Sequence, residues 1–212
     1  MIITIGHTKG GVGKSTLALN IAIERLRSGA DVLLIDGDSR QTSVSKAAGI
    51  RSDTGIEPKL PCIVLDDARS FRHQVSLLKD KYQDLVIDVG GKDSSALRAA
   101  LTVTDVLLLP VAPESVEIWA LDDISATITE AQSIHNFSVM SILNRAKPAG
   151  RDNEDTITVL REYPQIEILP GSIGNRGAFS SAFGRGLSVA EYRPINLKAA
   201  QEIANLIAAL YS

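Results

Sequence analysis

The sequence predicts a single-domain α/β fold with a mostly parallel, twisted sheet of about seven strands and helices on both faces. Short β-rich runs alternate with segments of helical period from end to end, which is the pattern of βαβ units around a parallel sheet. A glycine-rich loop follows the first strand, and two later strands each end in an aspartate. With 212 residues, the chain has the usual length of one such domain, over residues 1–212.

The predicted strands are short, and several are almost entirely apolar, as strands covered by helices on both faces must be. They are residues 2–6, 32–36, 62–66, 85–88, 106–111, 137–143 and 166–169. The predicted helices fill the gaps at residues 14–28, 68–82, 94–103, 115–134, 152–163, 176–184 and 195–210. Residues 49–61 include two glycines and two prolines, so we predict a loop there.

Composition excludes several classes of protein. Apolar residues make up 44% of the chain and charged residues 22%, which is ordinary for a globular protein with a full core. The net charge of -3 gives no overall basic character, so any contact with nucleic acid must come from a local patch. The single cysteine, Cys62, excludes a disulfide framework and a thiolate-held iron–sulfur cluster.

The two ends of the chain carry no membrane signal. Residues 1–6 lead directly into an apolar strand without the basic and long apolar regions of a signal peptide. No apolar run approaches the roughly 18 residues of a membrane span, and the last predicted helix lacks a basic and aromatic stripe. We therefore expect a cytoplasmic protein that has no membrane partner.

The glycine-rich loop after the first strand has the features of a phosphate-binding P-loop. Residues 7–16 read His-Thr-Lys-Gly-Gly-Val-Gly-Lys-Ser-Thr and lead directly into a helical run. Glycines let backbone N–H groups turn inward around phosphate oxygens, and the helix N-terminus adds partial positive charge. Lys14 is predicted to reach the β- and γ-phosphates of ATP, and Ser15 to offer its hydroxyl to Mg²⁺. The alternative, a glycine-rich turn without a ligand, is disfavoured by this strand–loop–helix context.

The loop departs from the standard P-loop pattern at its start, where Thr8 replaces the first glycine and Lys9 follows. Residues 9–15 resemble the deviant Walker A motif of the ParA and MinD superfamily, in which the earlier lysine contacts the nucleotide of the partner subunit. The resemblance implies an ATP-sandwich homodimer in which Lys9 and Lys14 are both catalytic. It also implies that the nucleotide is held by Lys9, Gly10, Gly11, Val12, Gly13, Lys14, Ser15 and Thr16. The alternative for Lys9 is an exposed loop lysine.

Two carboxylates, Asp36 and Asp38, follow the second strand at the edge where open α/β sheets bind ligands. The run resembles the Asp-x-Asp-Pro-Gln signature of the same superfamily, which implies that Asp38 aligns the catalytic water and that Asp36 belongs to the metal site. Here Ser39 and Arg40 stand before Gln41 in place of the usual proline. A plain loop carboxylate is the alternative for Asp38.

The strand at residues 84–88 resembles a Walker B strand, which implies that Asp88 binds Mg²⁺ through water. Relatives commonly continue with a proline-containing segment, whereas this chain has Val-Gly-Gly-Lys-Asp at residues 89–93. The two glycines permit a close approach to the γ-phosphate. Lys92 and Asp93 are predicted to be surface charges.

Polar residues also follow the sixth predicted strand. Asn144 and Arg145 stand where relatives recognise the adenine edge, and Pro170 with the loop after it is a further candidate for the adenine site. Because polar residues are common at strand ends in any α/β protein, an ordinary loop is an equal alternative.

The C-terminal third carries a local excess of positive charge, with four basic and two acidic residues from residue 170 onward. Residues 173–179 resemble the C-terminal pattern of the ParA family, in which an early arginine lies on a surface that binds DNA without sequence preference. We therefore predict that Arg176, Arg185 and Lys198 contact DNA. A solvated helix surface would explain the same charges.

Together these motifs predict a ParA-like ATPase for plasmid or chromosome partition. ATP would form the homodimer, the dimer would bind nonspecific DNA, and a ParB-like or other adaptor protein would stimulate hydrolysis and release. We expect such a protein to associate with the nucleoid. Because the P-loop strand lies almost at residue 1, we expect the small form that lacks an N-terminal helix-turn-helix.

Other functions share this fold and loop. A VirC1-like or chemotaxis-cluster positioning ATPase would differ only in its cargo. Amidoligases and synthetases related to dethiobiotin and cobyrinate enzymes would need a pocket for a substrate carboxylate, which the sequence does not identify. The C-terminus disfavours MinD-like membrane cycling, and the single Cys62 disfavours a nitrogenase reductase.

Overall fold

A computed structural model describes residues 1–38, 41–65, 67–91, 94–113, 118–149 and 151–212. The described residues form seven strands and eight helices. The strands are β1 (Ile2–Ile5), β2 (Val32–Asp36), β3 (Cys62–Val64), β4 (Asp84–Asp88), β5 (Val106–Val111), β6 (Ser138–Ala146) and β7 (Glu167–Gly174). The helices are α1 (Lys14–Arg27), α2 (Ser43–Asp53), α3 (Ala68–Leu78), α4 (Ser94–Leu101), α5 (Ile118–Gln132), α6 (Asp152–Leu160), α7 (Gly177–Phe183) and α8 (Leu197–Leu210).

The seven strands form one parallel sheet in the order β3-β2-β4-β1-β5-β6-β7. Strand β1 is central and pairs with β4 on one side and β5 on the other. The strand order therefore reverses beside β1, and open α/β sheets bind ligands at the carboxyl ends of the strands around such a point. The predicted parallel sheet is confirmed.

Helices cover both faces of the sheet, as predicted. Successive strand residues point to opposite faces, so that Ile3 and Ile5 join one core while Leu33 and Ile35 join the other. The first core is completed by α1, α2, α7 and α8, and the second by α3, α4, α5 and α6. Within the described part of the chain, every helix is too short or too polar to span a membrane.

Helix α2 was not predicted, and the predicted loop at residues 49–61 is wrong for residues 49–53. The helix buries only a small apolar surface, through residues such as Val44 and Ala47, so its periodicity is weak. Contacts with distant residues stabilise it. At its first turn, the Ser45 N–H donates to Asp36 Oδ2 at 3.0 Å, and near its end the Arg51 side chain is fully buried.

Two strands extend beyond their predicted ends. Strand β6 continues to Ala146 instead of ending at Leu143, and β7 continues to Gly174 instead of ending at Leu169. The β6–β7 pairing is irregular and shifts register twice, between Ser141 and Leu143 and between Asn144 and Ala146. Irregular pairing accommodates polar residues that a regular strand pattern would not include.

An ion pair between the buried Arg51 and the partly buried Glu191 connects α2 to the C-terminal segment. The Arg51 guanidinium donates to the two carboxylate oxygens of Glu191 at 2.8 and 2.9 Å and to the Pro58 carbonyl at 2.9 Å. Gly186 packs against the same helix and has φ of 67°. A Cβ at this position would lie only 2.5 Å from the Ala47 carbonyl oxygen, so the position has no space for a side chain. These contacts thus hold segment 186–191 against α2.

We expect Glu191→Ala to lower the free energy of unfolding by about 3–5 kcal/mol, because it leaves the buried Arg51 charge without its partner. Urea unfolding followed by circular dichroism measures this change. The matched control is Glu130→Ala, which removes an exposed ion pair with Arg98 and is expected to cost less than about 1 kcal/mol. Equal losses in the two variants would contradict the assigned role of the Arg51–Glu191 pair.

Candidate functional site

The P-loop connects the central strand β1 to α1, and two of its glycines have backbone angles that other residues rarely adopt. Gly11 has φ of 77° and Gly13 has φ of 94°. A Cβ at Gly13 would lie 2.2 Å from the Asn144 side-chain nitrogen, so a larger residue cannot occupy this position. The loop is therefore closely packed, and Lys14 follows it as the first residue of α1.

Lys14 is buried at the start of α1, with 8% of the residue exposed. Its Nζ donates to the Lys9 carbonyl at 2.8 Å. Burial lowers the pKa of Lys14, while the nearby carboxylates of Asp88 and Asp38 act in the opposite direction. The ammonium group thus binds the loop backbone and is attracted by two acidic side chains, and a phosphate group in the loop would be attracted to it.

Asn144 and Arg145, at the end of β6, also bind the loop backbone. Asn144 Nδ2 donates to the Val12 carbonyl at 2.6 Å, and Arg145 Nη1 donates to the Gly11 carbonyl at 2.7 Å. Arg145 has a left-handed backbone with φ of 56°, which is uncommon for a residue with a long side chain. These contacts hold the P-loop in shape, a role the sequence did not predict. Adenine recognition by the two residues stays a prediction.

The two carboxylates after β2 have different surroundings. Asp36 is fully buried, and its oxygens accept hydrogen bonds from the backbone N–H groups of Asp38 at 3.1 Å and Ser45 at 3.0 Å. Asp38 accepts one from the Gln41 N–H at 3.1 Å and lines a cavity. Asp36 therefore shapes the turn and the start of α2, whereas Asp38 faces the space where a nucleotide would lie.

Asp88, at the end of β4, is buried, and neither of its carboxylate oxygens has a hydrogen-bond partner among the described residues. Burial raises its pKa to about 7, with Asp36 and Asp38 adding to the rise and the Ser15 hydroxyl and Lys14 opposing it. The Ser15 hydroxyl is near enough to affect the pKa without forming a hydrogen bond of normal geometry. A buried carboxylate without partners is costly.

These surroundings fit a cation that binds between Asp88 and Ser15. No three His, Cys, Asp or Glu side chains are grouped to hold a metal in the part of the chain that the structure describes. Mg²⁺ suits such a site, since it commonly takes only one or two protein ligands and keeps water and phosphate oxygens for the rest. Because both oxygens of Asp36 accept backbone hydrogen bonds, Asp88 and Ser15 fit the ion better than Asp36.

The segment after β4 packs directly on the P-loop. A Cβ at Gly91 would lie 2.8 Å from the Lys9 carbonyl carbon and oxygen, and one at Gly90 would lie 3.0 Å from the Asp38 carboxylate. A Cβ at Gly91 would therefore require a shift of the backbone, and one at Gly90 would require the Asp38 side chain to move. The predicted surface charges Lys92 and Asp93, which come next, lie outside the described residues, as do residues 39 and 40.

A cavity of about 420 Å³ lies at the carboxyl end of the sheet and brings most of the predicted residues together. Those that line it are Gly10, Gly11, Gly13, Lys14, Ser15, Thr16, Asp38, Asn144, Arg145 and Arg176. Val12 is buried in the core, Pro170 is exposed on β7, and neither lines the cavity; nor does Lys9. The nucleotide roles of all the predicted residues, inside and outside the cavity, stay predictions.

The loop after Pro170, a predicted candidate for the adenine site, contributes Asn175 to this cavity. The sequence did not predict that α7 also lines it, through Gly177, Phe179 and Phe183. The available signal was the end of β7, since the carboxyl ends of parallel strands share one edge of the sheet. The predicted strand ended at residue 169, five residues before its actual end at Gly174, so α7 was not placed at this edge.

Arg176 was predicted as a DNA contact apart from the phosphate loop, but it lines the cavity with the loop residues. Its guanidinium donates to the two carboxylate oxygens of Glu202 at 2.5 and 3.3 Å. The other two predicted DNA contacts, Arg185 and Lys198, are exposed. The Arg185 guanidinium lies 5.3 Å from the centre of the Tyr192 ring. The three residues therefore do not share one environment.

The site thus combines a P-loop, a buried lysine and an unpartnered carboxylate beside a serine, which is the arrangement of a nucleotide-hydrolysing enzyme. The family model of the ATPase MipZ matches residues 1–162. The chain belongs to the MipZ ATPase family. The predictions of an ATPase that uses ATP and Mg²⁺, and of a relationship to the ParA and MinD superfamily, are confirmed.

Two curated relatives resemble this ATPase over most of its length. An uncharacterised ATP-binding protein of Methanocaldococcus jannaschii is 28% identical over 223 residues, which covers 91% of this chain and 81% of the relative. Protein ParA of Rhizobium radiobacter is 24% identical over 215 residues, which covers 98% of this chain and 94% of ParA.

Three solved structures share the fold over 99% of this chain. Apo McdA of Cyanothece has a TM-score of 0.79, with 19% identity and 98% of McdA covered. The septum site-determining protein MinD of Pyrococcus horikoshii, complexed with Mg-ADP, has 0.78, with 22% identity and 95% covered. Cobyrinic acid a,c-diamide synthase of Mycobacterium smegmatis, with a bound ATP analogue and magnesium, has 0.77, with 15% identity and 93% covered. The fold by itself therefore does not separate positioning ATPases from synthetases.

Proposed function

We propose that this ATPase positions or partitions a cargo: ATP forms a sandwich homodimer, the dimer binds DNA without sequence preference, and a partner protein stimulates hydrolysis and release. The position of Lys9 carries the proposal. Its backbone is part of the P-loop, because its carbonyl accepts the Lys14 ammonium, yet the residue does not line the cavity of its own subunit. This arrangement suits a lysine that contacts nucleotide bound to a second subunit.

The likeness to ParA supports the proposed cargo. ParA of Rhizobium radiobacter is 24% identical over an alignment that covers 98% of this chain, whereas cobyrinic acid a,c-diamide synthase is 15% identical with 99% covered. DNA, the homodimer and the adaptor protein are our proposals for this chain. A VirC1-like positioning ATPase with another cargo is the nearest alternative.

Five residues in or near the cavity have a task in the proposed reaction. Lys14 would bind the β- and γ-phosphates, and Asp88 with the Ser15 hydroxyl would hold Mg²⁺. The bound ion would neutralise phosphate charge. Asp38 would orient the attacking water from its place at the cavity wall, and Lys9 of the second subunit would stabilise the charge that develops on the transferred phosphoryl group.

DNA binding should require ATP in this scheme. A dimer presents two copies of each weakly basic surface, so that contacts too weak in a monomer can hold DNA together. Arg185 and Lys198 suit this role better than Arg176, because both are exposed, whereas the Arg176 guanidinium already binds Glu202.

The test is retention of the purified protein on immobilised DNA fragments of unrelated sequence, with ATP, with ADP or without nucleotide. We expect retention with ATP alone, together with a doubling of mass in light scattering. Lys9→Ala should bind ATP as a monomer but lose both the dimer and the DNA. Retention that ignores nucleotide, or an ATP-bound monomer in the parent protein, would contradict the proposal and would favour a synthetase.

Charge variants then identify the DNA surface. Arg185→Ala is expected to weaken binding to all sequences equally and to reduce the salt slope by about two units per dimer, one for each copy. The matched control is Arg161→Ala, an exposed arginine just after α6, which should leave both quantities unchanged. If Arg176→Ala lowers nucleotide affinity and not only DNA affinity, Arg176 contacts the nucleotide.

A further inference from the structure

His7 is the first residue of the P-loop segment and is buried, with 3% of the residue exposed. Its Nδ1 accepts a hydrogen bond from the Lys9 backbone N–H at 3.0 Å. An accepting Nδ1 carries no proton, so this contact selects the neutral ring with its proton on Nε2. Burial, followed by the charges of Lys14 and Lys9, lowers the pKa of His7 to about 4. The ring is therefore neutral at physiological pH.

The contact with His7 belongs to a set that fixes the backbone of Lys9 from several sides. The Lys9 N–H donates to His7, and the Lys9 carbonyl accepts the Lys14 ammonium at 2.8 Å. Gly91 packs against the same carbonyl, at a distance that admits no Cβ. The two peptide groups that flank the Lys9 Cα are thus both held, and they determine the direction in which the Lys9 side chain leaves the loop.

We propose that His7 is a positioning residue for the cross-subunit lysine: by accepting the Lys9 N–H, it orients Lys9 toward a second copy of this chain. The inference rests on the proposed ATP-dependent dimer. His7 does not line the cavity, so it acts through Lys9 and not on the nucleotide.

Filling space is the alternative role for a buried ring, and two substitutions separate the two roles. Asparagine places its Oδ1 at the same number of bonds from the backbone as Nδ1 of histidine, so His7→Asn keeps the acceptor but loses the ring. His7→Phe keeps the ring but loses the acceptor. A space-filling role predicts that Phe is tolerated and Asn is harmful, whereas a positioning role predicts the reverse.

The experiment measures three quantities on the full chain: affinity for a fluorescent ATP analogue in the monomer, ATP-dependent dimerisation by light scattering, and kcat and KM of ATP hydrolysis. We expect His7→Phe to weaken dimerisation and lower kcat at least tenfold, while monomer affinity for the analogue changes less than threefold. His7→Asn should restore dimerisation and kcat to within threefold of the parent. His7→Leu, which also lacks an acceptor, replaces the Phe variant if that variant is unfolded by circular dichroism.

Two results would overturn the role of His7: a Phe or Leu variant that dimerises and turns over like the parent, or an Asn variant as impaired as the Phe variant. Both leave the proposed function intact, because the parent protein still dimerises with ATP. If the parent itself fails to dimerise, the proposed function fails, and the positioning role fails with it. The parent measurement therefore distinguishes the two outcomes.

Discussion

The Lys14→Ala variant is expected to lose ATP binding by about 100-fold or more, because charge-assisted hydrogen bonds to phosphate contribute roughly 1.5–3 kcal/mol each. The structure provides no substitute among the described residues of the loop, since the neighbouring Lys9 does not line the cavity. The Lys14 ammonium donates to the Lys9 carbonyl and is attracted by the acidic side chains of Asp38 and Asp88. Alanine leaves that position without a cation.

Isothermal titration with ATP and Mg²⁺ measures this loss, and unfolding with urea shows whether the variant is folded. The matched control is Lys81→Ala, which removes a lysine on the exposed surface and should bind ATP like the parent. Tight binding of Mg-ATP by a folded Lys14→Ala variant would show that the P-loop assignment is wrong.

The second large effect is expected for Asp38→Ala, which should retain ATP binding and dimerisation while kcat falls at least about 100-fold. Asp38 lines the cavity at the end of β2, where it can orient a water molecule without being needed to hold the phosphates. Rates of phosphate release under saturating ATP, together with light scattering, measure the two properties separately.

Asp38 also has a structural contact, because its carboxylate accepts the Gln41 N–H at 3.1 Å. Asp38→Asn is the matched control, since its Oδ1 can still accept that hydrogen bond while the negative charge is lost. We expect Asn to be as slow as Ala, which would assign the effect to the charge and not to the turn. Hydrolysis by Asp38→Ala at the parent rate would exclude Asp38 from catalysis.

The strand and helix pattern and the core of the site could be predicted because their signals are local. Apolar runs with flanking polar residues indicated the strands, and the P-loop is a continuous segment in which glycine, Lys14 and Ser15 occupy adjacent positions. Asp88 ends one predicted strand of a parallel sheet and Asp38 follows another by two residues, and the carboxyl ends of such strands lie at one edge. Their proximity to the loop follows from that rule.

Helix α2 and the position of Arg176 could not be predicted in this way. The helix depends on a hydrogen bond from Ser45 to Asp36 and on the ion pair between Arg51 and Glu191, which are 140 residues apart. Arg176 binds Glu202 on α8 and lies in the cavity. A count of charges along the sequence treats Arg176 as surface charge, because the count does not show that Glu202 is its partner.

Residue types, short spacings and the resemblance to the ParA and MinD superfamily therefore predicted a parallel α/β ATPase, since backbone geometry and strand direction constrain neighbours along the chain. The roles of Lys14, Asp38 and Asp88 at its nucleotide stay predictions. Tertiary packing decided which polar groups were already engaged. The Asp36 carboxylate accepts hydrogen bonds from backbone N–H groups, whereas the Asp88 carboxylate has no hydrogen-bond partner among the described residues. The energy of a buried polar group depends on the atoms that surround it, and distant parts of the chain supply most of those atoms.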